Sequence, residues 1–227
     1  MDIDVELIGA REPAEVARAA ERATEVLRLG GLVLHPTETV YGLGGDGSAA
    51  NNELIARVKA REVGQPLILL TPDRETLMAS FPAACWPDEA ERLAQAFWPG
   101  PLTLVIPCDS AAAGLLGPDG GLAVRVSPDP VVGMILRSWG RPMTSTSANR
   151  SGRPPARTAS EALALFEDRA HLGGVEPVLA VDGGPRMGGR PSTIVSLVGT
   201  PPRLLREGPI GRAAIRERVP TLEYSVR

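Results

Sequence analysis

Between His35 and Gly47 the chain reads His-Pro-Thr-Glu-Thr-Val-Tyr-Gly-Leu-Gly-Gly-Asp-Gly, an unusual mixture for one short stretch. Two threonines (Thr37, Thr39), a carboxylate (Glu38) and a tyrosine (Tyr41) sit between a proline and four glycines. Backbone without Cβ atoms can approach a ligand closely, and loops carry function. The stretch therefore reads as a loop forming a substrate wall. Gly31-Leu-Val-Leu34 before it is the apolar run of a buried strand, and Leu54, Ile55 and Val58 after it fall at helical spacing within Asn51–Arg61. Polar side chains thus leave the end of a core strand, where open α/β sheets bind ligands.

A second, scattered set fits the same chemistry. It comprises Lys59-x-Arg61 at a helix end, Arg125 inside an apolar strand, Ser147-x-Asn149 in a hydroxyl-rich loop, Ser192-Thr193 after Gly188-Gly189, and Arg206 before Gly208. Cations beside hydroxyl and amide donors suit an anionic, phosphate-bearing ligand. A buried Arg125 charge must find a partner or a cavity. The 24 basic residues are 23 arginines and one lysine, Lys59, whose compact ammonium suits a point contact with phosphate better than a planar fork does. Taken one at a time, these residues also fit turns, caps and surface charges.

Other chemistries fit less well. Gly42–Gly47 spells G-x-G-x-x-G, with Glu62 downstream, but the dinucleotide fingerprint needs its glycines directly after the strand and opening the helix. Here Pro36–Tyr41 intervenes and helical pattern resumes only near Asn51. Phosphate-loop, nucleophile-elbow and zinc-protease motifs do not occur. Two cysteines (Cys85, Cys108) and two histidines (His35, His171) without ligand-type spacing argue against a zinc site or disulfide framework, and the cysteines read as small apolar fillers. A formal charge of −3 gives no global attraction to nucleic acid, although arginines gather near residues 150 and 210. With no apolar run of membrane-spanning length and an acidic start, a soluble cytoplasmic protein is expected.

The elements that must position these residues are legible from periodicity. The 227 residues, 43% hydrophobic, suffice for a full core. Helices are expected from Arg11 to Leu27, over Asn51–Arg61, Asp73–Met78, Pro87–Phe97, Val131–Trp139, Ala159–Phe166 and Ile210–Arg218. Strands are expected at Gly31–Leu34, Pro66–Thr71, Leu102–Ile106, Leu122–Val126, within Pro142–Asn149, and at Val178–Val181, Thr193–Leu197 and Arg203–Leu205, with a Gly-rich loop over Ala111–Gly121. The interleaving gives an α/β or mixed-sheet single domain over 1–227, with its core at about 10–215 and a tail at 219–227.

Seven blocks together carry a resemblance. Pro36-Thr-Glu-Thr-Val-Tyr-Gly-Leu-Gly, Lys59-x-Arg61 with Pro66-Leu67, Trp98-Pro-Gly-Pro-Leu-Thr103, Ala123-Val-Arg-Val, Ser147-Ala-Asn-x-Ser-Gly152, Pro191-Ser-Thr-Ile194 and Leu205-Arg-x-Gly208 resemble the short, single-domain form of the threonylcarbamoyl-AMP synthase (YrdC-like) family, in that family's order. The resemblance implies an α/β fold with a twisted mixed sheet, flanking helices and a concave cationic cavity. It implies synthesis of L-threonylcarbamoyl-AMP from L-threonine, bicarbonate and ATP with release of pyrophosphate, a nucleotidyltransferase reaction that feeds threonylcarbamoyladenosine formation in tRNA. Lys59 and Arg61 would be catalytic. Arg61, Ser147 and Arg206 would contact ATP, Lys59 and Asn149 would complete that set, and Gln65, Gly121 and Pro155 would flank the nucleotide. Thr39, Arg125, Ser145 and Ser192 would hold threonine. Mg²⁺ would come with ATP, held largely by phosphates and water, with Glu38 as an outer ligand; tRNA or tRNA-modification proteins are the implied partners.

Two departures bear on the substrate. Many members have proline after the arginine of Lys-x-Arg and a histidine a few residues past Pro-Leu; this chain has Glu62 and Leu70. These departures keep open carbamoyl-adenylate chemistry on a different acceptor. The arginine groups keep open a non-catalytic RNA-binding module.

Overall fold

A computed structural model describes residues 5–62, 64–109, 117–166 and 177–224. Its strands are β1 (Val5–Gly9), β2 (Leu32–Pro36), β3 (Tyr41–Gly45), β4 (Ile68–Leu70), β5 (Leu102–Pro107), β6 (Gly121–Arg125), β7 (Met143–Ser147), β8 (Val178–Asp182), β9 (Thr193–Ser196), β10 (Arg203–Arg206) and β11 (Glu223–Tyr224). Its helices are α1 (Pro13–Arg28), α2 (Ala49–Val58), α3 (Arg74–Ser80), α4 (Asp88–Phe97), α5 (Pro130–Trp139), α6 (Ala159–Leu163) and α7 (Arg212–Arg218). The chain divides into two compact units, one built from Met1–Gln65 and Asp129–Gly189, the other from Pro66–Pro128 and Arg190–Arg227.

In the first unit the strand order is β1-β8-β2-β3-β7. β8 runs parallel to β1 and β2, and β3 runs antiparallel to β2 and β7. Helix α1 begins where Pro13, which has no N–H to leave unsatisfied, enters the first turn; the Glu15 carboxylate accepts the backbone N–H groups of Arg11 and Glu12. Its small face, Ala19, Ala20 and Ala23 with Val26 and Leu27, is buried, and its main partner is α5. That helix is started by Asp129, whose Oδ1 accepts the N–H groups of Val131 and Val132, and is stopped by Gly140 at φ 71°.

In the second unit the order is β4-β6-β5-β9-β10-β11. β4 is parallel to β6, β5 antiparallel to β6 and parallel to β9, and β10 antiparallel to β9 and parallel to β11. Its core joins Leu102, Leu104 and Ile106 of β5, Leu122 and Val124 of β6, Leu93 of α4 and Ile215 of α7. The periodic segments thus fold as expected, with ends moved by a few residues.

The substrate-wall loop is a correction. Thr37–Val40 turns the chain, but Tyr41–Gly45 is a buried strand, not loop. A Cβ on Gly42 would lie 2.6 Å from the His35 ring, one on Gly44 2.6 Å from Thr144 O, and one on Gly45 1.6 Å from Asn51 Oδ1. These glycines make room for the fold's own groups. β1 and β11, unanticipated from sequence, are partly or fully exposed along their length and so lack a continuous apolar run. Cys108 packs against the second unit's core as an apolar filler would, but Cys85 is exposed. Most of the Ala111–Gly121 loop lies outside the described residues.

Candidate functional site

In the first unit the organising residue is Lys59. It caps the C-terminus of α2 and is only 4% exposed. Ala60 follows at φ 49°, a left-handed conformation costly for a residue with a Cβ, so the chain leaves the helix sharply between Lys59 and Arg61. The Lys59 ammonium donates to the backbone carbonyl of Ser147, to that of Asn149 at 2.7 Å and to Asn149 Oδ1 at 3.4 Å. The lysine carbonyl in turn accepts the N–H of Ser151. The expectation of an ammonium facing phosphate therefore meets an ammonium whose donors are directed into the Ser147–Ser151 segment. Burial, and secondarily the charge of Arg61, pull its pKa down to about 8.

Ser147 donates to Asn149 Oδ1, and Asn149 Nδ2 donates to the carbonyls of Arg150 and Arg153. The Asn149 amide is thus committed within the protein at both ends. Arg61 donates from Nη2 to Gln65 O at 3.0 Å, whereas its buried Nε has no hydrogen-bond partner among the described residues. Desolvation lowers its pKa. A buried donor left open in this way is a natural place for an anionic ligand. Gln65 and Pro155 are exposed.

Thr39 is half-buried in the turn between β2 and β3. Its carbonyl accepts Gly188 N–H at 2.9 Å, and its methyl lies 3.3 Å from where a Gly189 Cβ would stand. Ser145, 7% exposed, lies two residues before Ser147 on β7, so both side chains leave the same face of the strand. Ser145 Oγ is 3.1 Å from His35 Nε2. Tyr41, fully buried, donates to Gly184 O at 2.8 Å and lies 3.3 Å from Asp182; burial first and that carboxylate second push its pKa up to about 12. Tyr41 holds the turn in place.

The second unit contributes two guanidinium groups. Arg206, at the end of β10, donates from Nε to Ser192 O at 2.9 Å and from Nη2 to Ser192 Oγ at 3.2 Å. Ser192 is buried and shares a 2.9 Å hydrogen bond with Thr103 Oγ1 of β5. Arg125, 8% exposed at the end of β6, donates from Nε to Gly100 O at 3.1 Å. Burial and the like charge of Arg206 lower its pKa to about 10, and desolvation lowers that of Arg206. Two positive charges held within each other's field, beside a buried hydroxyl, form an anion-seeking arrangement. Gly121 opens β6, where a Cβ would meet Ile106 O at 2.6 Å, so its contribution is close backbone packing.

Comparison with known proteins gives the family of the chain. A Sua5/YciO/YrdC family model, described as telomere recombination, matches residues 25–208. The chain belongs to this family. The threonylcarbamoyl-AMP synthase of Chromohalobacter salexigens is 40% identical over 191 residues, covering 81% of this chain and 95% of that protein. Its counterpart in Stenotrophomonas maltophilia is 38% identical over 143 residues, 62% of this chain and 77% of that one. Among solved structures, P. abyssi Sua5 complexed with L-threonine superposes with a TM-score of 0.79 at 32% identity over 97% of this chain, which spans 62% of that longer protein. E. coli YciO, at 23% identity and a TM-score of 0.75, covers 94% of this chain and 99% of that one and shares its mixed α/β fold.

Against this family, Glu62 is exposed, whereas Leu70 is buried on β4 directly beside Arg125 in the β4–β6 register. The departure from the family's histidine thus lies next to one of the two guanidinium groups. Among the described residues no three histidine, cysteine, aspartate or glutamate side chains converge in a metal-binding group, and no helix is long and apolar enough to cross a membrane. Sequence reasoning missed His35 and Thr103. Each is a polar residue in an otherwise apolar strand, and that is the signal that marks them.

Proposed function

We propose that this chain is an ATP-dependent L-threonylcarbamoyl-AMP synthase. The observation that carries the reading is Arg206 bonded to Ser192 with the Arg125 guanidinium within its field, together with relatives of that name at up to 40% identity. In this reading the threonine amine attacks bicarbonate to form a carbamate and water. A carbamate oxygen then attacks the α-phosphorus of ATP and pyrophosphate leaves. No side-chain nucleophile is needed; the protein positions anions and offsets their charge.

Thr39, Arg125, Ser145 and Ser192 hold the amino acid, with Arg125 on its carboxylate. Arg61, Ser147 and Arg206 take the nucleotide, Arg61 through its open Nε. Lys59 and Asn149 fix Ser147, and Lys59 adds positive charge, which supports a role in assembly of the nucleotide contacts as much as in touching them. Gln65, Gly121 and Pro155 flank the nucleotide. Mg²⁺ arrives on the phosphates of ATP. The product would supply threonylcarbamoyl transfer to tRNA in the cytoplasm.

The position of Leu70 beside Arg125 favours one second reading, the same adenylate chemistry on another acceptor. Pyrophosphate release from ATP and bicarbonate, with and without L-threonine and with L-serine as control, tests both. Release that requires threonine is the expected result. Release that ignores threonine establishes the second reading, and no release with intact ATP binding removes both.

A further inference from the structure

His35 lies on β2 and Ser145 on β7, with β3 between them. Their 3.1 Å hydrogen bond therefore passes over a strand, which is possible only where that strand lacks side chains on the crossed face. Gly42 and Gly44 occupy that face, two residues apart. A Cβ on Gly42 would stand 2.6 Å from His35 Cε1, 2.7 Å from Nε2 and 3.1 Å from Ser145 Oγ, in the space the pair uses. The Gly-x-Gly spacing, first read as a ligand approach, thus serves a buried histidine–serine contact.

The other ring nitrogen fixes the direction of that contact. His35 Nδ1 lies 3.2 Å from Pro36 O, and a carbonyl only accepts, so Nδ1 carries the hydrogen. In the neutral imidazole Nε2 is then the acceptor, and the proton on the bond belongs to Ser145. A hydroxyl that has given its one proton to a histidine has only lone pairs to offer elsewhere. His35 is fully buried, whereas Ser145 retains 7% exposure, so the serine is the member of the pair nearer to solvent.

We propose that His35 is a positioning residue that fixes Ser145 as an acceptor, so that the substrate group meeting Ser145 is an N–H or O–H donor of the amino acid and not its carboxylate. This rests on the assignment of Ser145 to the amino-acid site proposed above. Recognition is then divided by hydrogen-bond sense: guanidinium for the carboxylate, and a proton-depleted hydroxyl for the amine or side-chain hydroxyl.

Two measurements test it. With only two histidines in the chain, ¹⁵N-labelled imidazole spectra of wild type and His35→Gln assign the His35 signals directly. They are expected to show protonated Nδ1 and bare Nε2; a proton on Nε2 overturns the proposal whatever the kinetics. In steady-state assays, His35→Leu is expected to raise the KM for L-threonine about tenfold, the effect of one neutral hydrogen bond, while the KM for ATP stays within about twofold. His35→Gln, whose Oε1 can accept the same proton, is expected to keep both constants near wild type. Equal increases for ATP and threonine, or failure of glutamine to rescue, mean a merely structural histidine. A wild-type protein without threonine-dependent turnover removes the functional reading and this proposal together, whereas an active wild type with an unchanged His35→Leu removes this proposal alone.

Discussion

The two units handle buried cations in opposite ways. In the first, the Lys59 ammonium is surrounded by acceptors that the chain itself provides: two backbone carbonyls and an amide oxygen, all from Ser147–Asn149. In the second, Arg125 lies within the field of another guanidinium, Arg206, and each gives hydrogen bonds to the chain while desolvation lowers its pKa. A cation whose donors close a turn builds structure; two guanidinium groups within each other's field concentrate positive charge where an anion is favoured. The difference teaches that lysine or arginine at a conspicuous position does not by itself mean contact with substrate.

Variants sharpen that contrast, beginning with the largest effect. Arg206→Ala is expected to lower kcat/KM on the order of a hundredfold or more, the loss typical of removing one partner from a desolvated charge contact. Arg125→Met is expected to do the same, while denaturant melts show stability within about 1 kcal/mol of wild type, because relief of like-charge repulsion offsets the hydrogen bonds lost, that to Gly100 among them. Strong destabilisation in either variant breaks the contrast.

Lys59→Met, by comparison, removes hydrogen bonds from partly buried acceptors around a buried side chain and is expected to cost about 2–3 kcal/mol in the same melts as well as activity. Lys59→Arg should not rescue it, since a planar fork cannot take the place of a compact ammonium converging on one turn. Unchanged stability in Lys59→Met means that the ammonium does not hold the turn.

Lys59 also gives the stability a pH dependence. Its pKa is lowered from 10.5 to about 8 on folding, so between those values the unfolded chain binds more protons than the native one, and stability rises with pH. Below about pH 8 both states are protonated and the full cost of burying the charge is present. Wild-type melts between pH 7.5 and 10 should show this rise relative to Lys59→Met; a flat difference removes the assignment. The smallest effect is expected at Ala60→Gly, where relief of the φ 49° backbone should stabilise by about 0.5 kcal/mol with turnover unchanged.

Much of this was legible before any coordinates. Hydrophobic periodicity marks α1, α4, α5 and the central strands because burial of one helix face or a whole strand leaves a repeating record in the chain. The position of Lys59 at a helix end was legible too, from where the apolar spacing of α2 stops. β3 was not, because three glycines in five residues carry no apolar signature, and the reason for them lies in His35, Thr144 and Asn51. β11, two exposed residues long, leaves no pattern to read.

The sequence by itself determined the family, through ordered blocks of residues whose types suit anions, and the kinds of element that carry them, through spacing. Only the tertiary structure decided what each polar group faces. Hydrogen-bond partners at sequence separations such as the 88 residues between Lys59 and Ser147, or the 110 between His35 and Ser145, are set by strand order and register. A linear pattern records which residues are buried, but the direction of a proton on a hydroxyl, or the acceptors around an ammonium, exists only once distant strands lie side by side.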